Sequence, residues 1–484
     1  MNQQIPPSFH DYIERVLGNR KDLFLSGLEF GKKTSIRINT LKTDKNTLKN
    51  ILSRDGFVLR DLDFADYALI VDEENGLISK TIEHFLGLFY IQSVASMVPP
   101  IVLDPQPGEM ILDISAAPGS KTTQIAQLMQ NRGVVVANDW DGKRIKTLSH
   151  NLDRMGVLNT AMVNMGGERI GNLLPASFDK ILVDAPCSAL GVIHKAPQAV
   201  ANIPMLQKFV FIQEQLMVSA IKAVKTGGTI VYSTCTISPE ENEKLIHTLI
   251  TKYPLEIEEM ILPNGLHWME GLTRVGDETF HPSLAKTVRL LPSEINPEGF
   301  FITKLRKTGD VIVKNDKEPF HNKKIRFEFH NADDRNIRNM TAYFGERFGI
   351  DPEFWKPYLF VIKEDEILIT SSEWAGKESM LNRIYTHRVG TRLARTRREG
   401  EWKLSTNFAQ LCHQHITKNR IELTDLKEIE TFIEAGTIRR EFEIKQGGVV
   451  VFTDGLPLGC GVMHQGNLKS QMPKSRKVIG VDFD

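Results

Sequence analysis

Between residues 108 and 307, short apolar runs alternate with helical stretches, and this alternation constrains the fold more than any other feature of the chain. The apolar runs are Met110–Ile114, Val134–Ala137, Thr160–Val163, Lys180–Val183 and Thr229–Tyr232, and the helical stretches between them are Thr122–Gln130, Lys143–Arg154 and Met205–Val224. This order predicts a parallel α/β sheet with right-handed crossovers. Strands buried on both faces read as continuous apolar runs, as these do. A later pair, Thr287–Leu291 and Gly299–Leu305, predicts an antiparallel hairpin at the sheet edge.

The chain has 484 residues, more than one hydrophobic core usually supports. We predict an N-terminal α+β domain at 1–102, a sheet domain at 103–308, a connecting α/β segment at 309–375 that begins with a polar linker at 309–325, and a β-rich domain at 376–484. In the first of these, Ser35–Leu41 reads as a strand and Thr43–Ser53 as a helix, with Thr43 or Asp44 as its cap.

Charge and cysteine content restrict the possible partners and metals. Lys+Arg and Asp+Glu both number 60, so a nucleic-acid partner would have to be held by local basic patches. The four cysteines are too few for a disulfide scaffold, and without a CxxC pair we predict no metal. The chain begins without a secretory signal and contains no run of about 18 apolar residues. We therefore expect a cytoplasmic monomer with no membrane partner.

A loop of small residues separates the first predicted strand of the sheet domain from its first helix. It comprises Ser115, Ala116, Ala117, Pro118, Gly119, Ser120 and Lys121. Such a loop lets the backbone approach a ligand and directs helix-start N–H groups at it. The segment departs from the phosphate-binding loop motif at two positions, and it lacks the glycine pattern of dinucleotide-binding loops. A tight loop that binds no ligand remains an alternative. Asp139, at the tip of the second strand, is placed to accept hydrogen bonds from ribose hydroxyls, which favours a nucleoside cofactor.

Two cysteines follow the carboxyl ends of predicted strands. Cys187 belongs to Asp184-Ala185-Pro186-Cys187, and Cys235 belongs to Ser233-Thr234-Cys235-Thr236. A free cysteine is most often a small buried hydrophobe, and that alternative stays open for each of them. However, two of the four cysteines fall at the same sheet edge as the loop. The placement predicts a thiolate nucleophile, whose formation needs nearby positive charge or hydrogen-bond donors.

Together these segments, with Pro239-Glu240-Glu241-Asn242 and Arg37-Ile38-Asn39-Thr40-Leu41-Lys42, resemble the motifs of the RNA 5-methylcytosine methyltransferases of the Nol1/Nop2/Sun family. The resemblance covers roughly residues 30 to 307. It implies a Rossmann-like S-adenosylmethionine-dependent methyltransferase sheet. It also implies that Cys235 is the nucleophile, that Cys187 assists product release, and that loop 115–121, Asp139 and Asp184 bind the cofactor. Spacing alone leaves the division of roles between the two thiols open.

The chain departs from the family pattern at three places. Ser115 stands where many members have Cys, and Ala189 stands where Gly follows Cys-Ser. Members often carry an acidic residue near the end of the third strand to contact adenine, but here the sequence is Asn164-Met165-Gly166-Gly167. Asn164 or a backbone group at Gly166 is the candidate replacement.

The implied reaction explains why a thiol is needed. Carbon 5 of cytosine becomes nucleophilic when a thiolate adds to carbon 6, and a base must later remove the proton on carbon 5. Asp184 is the candidate to stabilise charge at ring nitrogen 3.

Basic residues cluster in the C-terminal region, which suggests phosphate contacts. One cluster holds Arg383, Arg388, Arg392, Arg395, Arg397 and Arg398, and the other holds Lys469, Lys474, Arg476 and Lys477. A solvated face is the alternative for each cluster. Residues 447–478 are similar to the PUA-like RNA-binding domain of some family members. The resemblance implies 16S rRNA in the small ribosomal subunit as partner, with a cytosine of the decoding region as target. Another rRNA or tRNA site, another methylated atom, and a non-catalytic RNA-binding protein are the alternatives.

Overall fold

The computed structural model describes residues 7–29, 33–63, 65–73, 77–313, 327–398 and 400–472. Lys474, Arg476 and Lys477 lie outside these ranges, as does the greater part of the predicted linker 309–325.

The N-terminal part folds into a small antiparallel sheet with helices. Its strands are β1 (Thr34–Ile38), β2 (Val58–Asp61), β3 (Ala68–Glu73) and β4 (Phe89–Ile91), in the order β2-β3-β1-β4. Its helices are α1 (Pro7–Leu17), α2 (Lys21–Glu29), α3 (Lys45–Arg54), α4 (Ile82–Leu86) and α5 (Val94–Leu103). The predicted cap Asp44 is confirmed, because its carboxylate accepts a hydrogen bond of 3.0 Å from the Thr47 amide.

The predicted strand 35–41 is shorter in the structure, because β1 ends at Ile38. The side chain of Asn39 turns the chain there. Its amide donates to the carbonyls of Gly87 and Met155, and its oxygen accepts from the Leu41 amide at 3.2 Å.

The central sheet confirms the predicted α/β fold. Its strands are β5 (Met110–Asp113), β6 (Val134–Asn138), β7 (Thr160–Val163), β8 (Phe178–Asp184), β9 (Val224–Thr234), β10 (Leu255–Glu258), β11 (Trp268–Glu270), β14 (Val288–Leu290) and β15 (Phe300–Lys307), while β12 (Arg274–Val275) and β13 (Glu278–Thr279) form a separate hairpin. The connecting helices are α6 (Ser120–Leu128), α7 (Gly142–Met155), α8 (Ile170–Leu173), α9 (Leu206–Ala223) and α10 (Glu243–Lys252). Strands β7-β6-β5-β8-β9 are parallel, and β15 and β14 continue the sheet as the predicted antiparallel hairpin.

Both faces of the parallel strands are buried, which explains their continuous apolar sequences. Leu112 and Ile181 pack on one face in a cluster with Met217 of α9, whereas Ile111 and Leu182 pack on the other face. All five of these side chains have no exposed surface.

The C-terminal part adds two further sheets. Its strands are β16 (Tyr358–Lys363), β17 (Glu366–Ser371), β18 (Thr386–Val389), β19 (Thr391–Arg398), β20 (Glu401–Leu404), β21 (Arg420–Glu422), β22 (Thr437–Ile438), β23 (Gly447–Thr453), β24 (Leu456–His464) and β25 (Asn467–Ser470), and its helices are α11 (Arg335–Phe348), α12 (Glu378–Arg383), α13 (Thr406–Leu411) and α14 (Leu426–Ile433). One sheet has the order β16-β17-β19-β20 and the other the order β21-β23-β24-β25-β22. The first of these sheets draws strands from both sides of residue 375, where we placed a domain boundary.

One C-terminal strand joins the central sheet. Strand β18 pairs antiparallel with β7 and covers the edge that β7 would otherwise expose. The C-terminal part also packs on the N-terminal part, since Leu48 of α3 and Phe85 of α4 share a buried cluster with Leu423 and with Phe432 of α14. Among the described residues, the structure contains no helix of sufficient length and apolarity to span a bilayer.

Candidate active site

Three predicted site segments meet at one edge of the central sheet. Strands β5, β8 and β9 are neighbours and run parallel, with Asp113 opposite Leu182 and Asp184 opposite Ser233. Because the carboxyl ends of parallel strands lie at the same edge, loop 115–121, residues 184–187 and Cys235 converge there.

The loop that follows β5 brings its backbone to the start of α6. Gly119 occupies the left-handed region with φ +107°, and no side chain caps the N–H groups of the helix start. This positive φ favours glycine, and a Cβ at this position would lie 2.9 Å from Leu148 Cδ1, so the Leu148 side chain would have to shift. The loop thus presents uncapped N–H groups to the sheet edge.

Asp139 lies against this loop and is nearly fully buried. Its carboxylate accepts hydrogen bonds from the amides of Ala117 at 3.2 Å and Asp141 at 3.0 Å, and it pairs with Arg144 at 3.2 Å. The predicted ribose acceptor is therefore fixed in orientation by the loop that it adjoins.

Glu168 is a candidate site residue that the sequence analysis did not single out. It lies in a short turn after β7, and a Cβ on Gly166 would collide with its carboxylate. An acid therefore stands beside Gly166, where the sequence analysis found none. Asn164, the other candidate replacement, donates its side-chain amide to the Asp139 carbonyl at 2.8 Å. The sequence signal that could have identified Glu168 is that an acidic residue follows Gly166 by two positions.

Asp113, at the end of β5, is a second missed residue. Thr122 donates a hydrogen bond of 2.6 Å to one carboxyl oxygen, and the other oxygen is buried without a hydrogen-bond partner in the structure. Burial raises the pKa of Asp113 to about 7. A carboxyl with this pKa can be neutral near physiological pH.

Asp184 connects the loop to the strand that carries Cys235. Its Oδ2 accepts from Lys121 Nζ at 2.6 Å, and its Oδ1 accepts from Ser233 Oγ at 2.8 Å. Burial alone would lower the pKa of Lys121, but the charge and hydrogen bond of Asp184 more than offset it, so this pKa is raised. The ammonium of Lys121 also interacts electrostatically with Cys235.

The two cysteine sulfur atoms are in direct contact. Cys187 Sγ and Cys235 Sγ lie 3.2 Å apart, both half-buried and both free thiols. The hydrogen bond to Cys235, together with burial, raises the pKa of Cys187 well above its ordinary value. The other two cysteines, Cys412 and Cys460, are buried in the C-terminal part.

The first C-terminal arginine cluster is largely engaged within the protein. Arg388 makes two hydrogen bonds to the Asp153 carboxylate, at 2.9 and 2.7 Å. Arg392 and Arg395 both pair with Glu366. Arg383 is exposed, and the side chains of Arg392 and Arg395 keep 45% and 49% of their surface exposed. The side chains of Arg397 and Arg398 lie outside the described residues, so phosphate contact by this cluster stays a prediction.

The sequence of the chain is similar to those of 16S rRNA methyltransferases. Residues 100–306 match the model of the family 16S rRNA methyltransferase RsmB/F, and residues 5–94 match that of the N-terminal domain of 16S rRNA methyltransferase RsmF. Ribosomal RNA small subunit methyltransferase F from Shewanella woodyi is 32% identical over 94% of this chain and 92% of that protein. The protein of the same name from Escherichia coli O157:H7 is 31% identical, with the same two coverages.

Two solved structures from Pyrococcus horikoshii are also similar. A methyltransferase homolog protein superposes with a TM-score of 0.55 and 35% identity, covering 62% of this chain and 94% of that one. NSun6, solved with SFG, superposes with a TM-score of 0.54 and 26% identity, covering 63% of this chain and 99% of that one.

Proposed function

Because the chain belongs to the 16S rRNA methyltransferase RsmB/F family, we propose that it methylates carbon 5 of one cytosine in 16S rRNA through a covalent adduct on Cys235. S-adenosylmethionine is the methyl donor. The contact between the Cys187 and Cys235 sulfur atoms, 3.2 Å apart at the edge that also carries the loop, supports this proposal most directly.

The residues at the sheet edge fit S-adenosylmethionine. Loop 115–121 supplies small side chains and uncapped N–H groups, and Asp139 supplies an acceptor for ribose hydroxyls. Glu168, beside Gly166, would supply an acceptor for the exocyclic amine of adenine. SFG, with which NSun6 was solved, is an S-adenosylmethionine analogue. When bound, the cofactor supplies an electrophilic methyl group.

Cys235 begins the reaction by forming a bond between its sulfur and carbon 6 of an extruded cytosine. Lys121 supplies positive charge near this sulfur. Asp184 is held at this edge by Lys121 and Ser233. In its protonated form it donates a hydrogen bond to ring nitrogen 3, which stabilises the negative charge that develops there. The adduct on Cys235 makes carbon 5 nucleophilic, so that carbon would accept the methyl group that the bound cofactor supplies.

Cys187 completes the reaction by accepting the proton of carbon 5. The raised pKa of Cys187 has the hydrogen bond to Cys235 as its largest cause. Once Cys235 is bonded to the base, that hydrogen bond and the negative charge of the sulfur are gone, which lowers the pKa of Cys187. At the lower pKa Cys187 releases its own proton to solvent. Attack by one thiol therefore prepares the other to act as base. Loss of the proton breaks the bond between sulfur and carbon 6, and the Cys235 thiolate is restored.

The remaining parts of the chain bind the RNA. We assign this role to the N-terminal α+β part and to the C-terminal five-stranded sheet, which is PUA-like in sequence. The substrate is the small ribosomal subunit, with the target cytosine in the decoding region.

The test uses labelled S-adenosylmethionine and small subunits from cells that lack the protein, followed by digestion and identification of the labelled nucleoside. Wild-type protein should yield 5-methylcytosine. Cys235→Ala should yield neither product nor adduct, and Cys187→Ala should trap a protein–RNA adduct. Cys412→Ala, which changes a remote buried thiol, is the matched control.

Recovery of a different methylated nucleoside would refute the assignment to carbon 5. An adduct on Cys187 that persists in Cys235→Ala would mean that the roles of the two thiols are reversed.

A further inference from the structure

We propose that Glu241 and Asn242 are positioning residues for different cysteines. Asn242 positions Cys235 for attack on the base, and Glu241 positions Cys187 for release of the product. This inference rests on the proposed function, because it assumes that division of roles. Neither residue touches a sulfur atom in the hydrogen bonds of the structure. Asn242 acts through the neighbours of Cys235, and Glu241 acts mainly through those of Cys187, with a further hydrogen bond to the Thr236 side chain.

Asn242 holds both neighbours of Cys235. Its Oδ1 accepts a hydrogen bond of 2.7 Å from Thr234 Oγ1, and its Nδ2 donates one of 3.0 Å to the Thr236 carbonyl. Asn242 has no exposed surface. A buried amide that uses both its donor and its acceptor on the two flanking residues fixes the backbone from which the Cys235 thiol projects.

Glu241 holds both neighbours of Cys187. Its carboxylate accepts from the Ser188 amide at 3.0 Å and from the Ser188 hydroxyl. It also accepts from Gln213 Nε2 at 2.8 Å, and the same amide group donates to the Pro186 carbonyl at 2.9 Å. One fully buried carboxylate thus determines the position of the residues before and after Cys187.

A hydrogen bond joins the contacts that Asn242 makes around Cys235 to those that Glu241 makes around Cys187. The hydroxyls of Ser188 and Thr236 lie 2.8 Å apart, and each belongs to the residue that follows one of the cysteines. The distance between the sulfur atoms is therefore set by buried side chains that lie outside the chemistry. Removal of Glu241 or Asn242 should therefore misalign mainly the cysteine whose neighbours it contacts. About 1 Å of misplacement costs on the order of 100-fold in rate.

The experiment measures adduct and product separately, in single turnovers with small subunits and labelled S-adenosylmethionine. Glu241→Ala should form the adduct at close to the wild-type rate and accumulate it on the order of 10-fold above wild type, because release is slowed. Asn242→Ala should form the adduct on the order of 10-fold more slowly and accumulate none. Glu241→Gln, which keeps the shape of the side chain, should restore release in part.

Glu240→Gln is the matched control, because Glu240 contacts Ser238 and Tyr12 and neither neighbour of a cysteine. It should behave as wild type. If the alanine variants do not fold, Gln213→Leu and Thr234→Val replace them. Gln213→Leu removes the side chain that links Glu241 to Pro186, and Thr234→Val removes the hydroxyl that contacts Asn242. Equal loss of attack in the two variants, or the reversed pattern, would overturn the inference.

Cys187→Ala and Cys235→Ala, measured in the same assay, distinguish failure of the proposed function from failure of the proposed positioning roles. If Cys187→Ala traps no adduct, the proposed division of roles fails. If it traps the adduct and the Glu241 variants do not, the proposed function stands and the positioning role is wrong.

Discussion

At the scale of single residues, Cys235 controls the acid–base behaviour of Cys187. The hydrogen bond between their sulfur atoms is the largest cause of the raised pKa of Cys187, ahead of burial. A raised pKa keeps Cys187 protonated, and therefore unreactive toward alkylating agents, while Cys235 is present.

Cys235→Ala should therefore make Cys187 more reactive. Without the hydrogen bond the pKa of Cys187 falls toward its ordinary value, so its thiolate fraction at about pH 8 rises and alkylation by iodoacetamide accelerates several-fold. Peptide mass spectrometry measures the rate at each cysteine. Cys412 and Cys460 serve as internal controls, because burial raises the pKa of both. Unchanged labelling of Cys187 would contradict the coupling.

Glu168 gives a second prediction at this scale. If its carboxylate binds the adenine amine, Glu168→Gln should raise the KM for S-adenosylmethionine about 10-fold, which corresponds to about 1.4 kcal/mol, and leave kcat nearly unchanged. Steady-state kinetics with varied cofactor measures both constants. Glu346→Gln, an exposed carboxylate in α11, is the control. A loss of kcat without a change in KM would assign Glu168 another role.

At the scale of elements, the turn from β5 into α6 is the feature on which cofactor binding depends. Gly119→Ala should lower the affinity for S-adenosylmethionine on the order of 10-fold or more, because the new methyl group meets Leu148 and the residue resists a positive φ. Isothermal calorimetry measures the affinity.

Gly227→Ala is the matched control for this change. Gly227 also has a positive φ, of +84°, but a Cβ there would meet nothing within 4 Å. It should cost about 1 kcal/mol of stability and leave cofactor affinity unchanged. Equal loss of affinity in both variants would mean that general strain, and not the loop, is responsible.

The central sheet could be predicted from the sequence because each strand carries its own signal. Consecutive residues are apolar in neighbouring strands, as burial on two faces requires, for example Ile111 and Leu112 in β5 and Ile181 and Leu182 in β8. Strand β18 carries no such signal, since its pairing with β7 joins segments more than 200 residues apart in sequence.

The candidate site divides in the same way. Cys187 and Cys235 lie in short recognisable segments next to strand ends, so topology alone predicts that they converge. Glu168 and Glu241 could not be singled out in this way. The proposed role of Glu168 depends on the turn that brings it beside Gly166, and that of Glu241 depends on its buried contacts with Ser188 and Gln213. Arg388 shows the converse, because a run of arginines reads as a basic face until its acidic partner Asp153 is located 235 positions away.

At the scale of the whole molecule, the pair between Arg388 and Asp153 fixes the C-terminal part to α7. Both side chains are largely buried, at 14% and 18% exposure. Arg388→Met should lower the free energy of unfolding by about 2 kcal/mol, because it leaves a partly buried carboxylate without its cation. Chemical denaturation measures the change. Arg395→Met is the control, since its half-exposed pair should contribute about 0.5 kcal/mol or less. Equal losses would contradict this role for Arg388.

Strand β18 has a consequence for how the protein is made. During synthesis, β7 emerges long before β18, so the nascent chain carries a row of unsatisfied amides and carbonyls on one border of its largest sheet. Until residue 389 has left the exit tunnel, that border can pair with any extended peptide nearby. A fragment cut at 308 would retain this vulnerability permanently and should self-associate, even though it would contain every residue of the proposed chemistry.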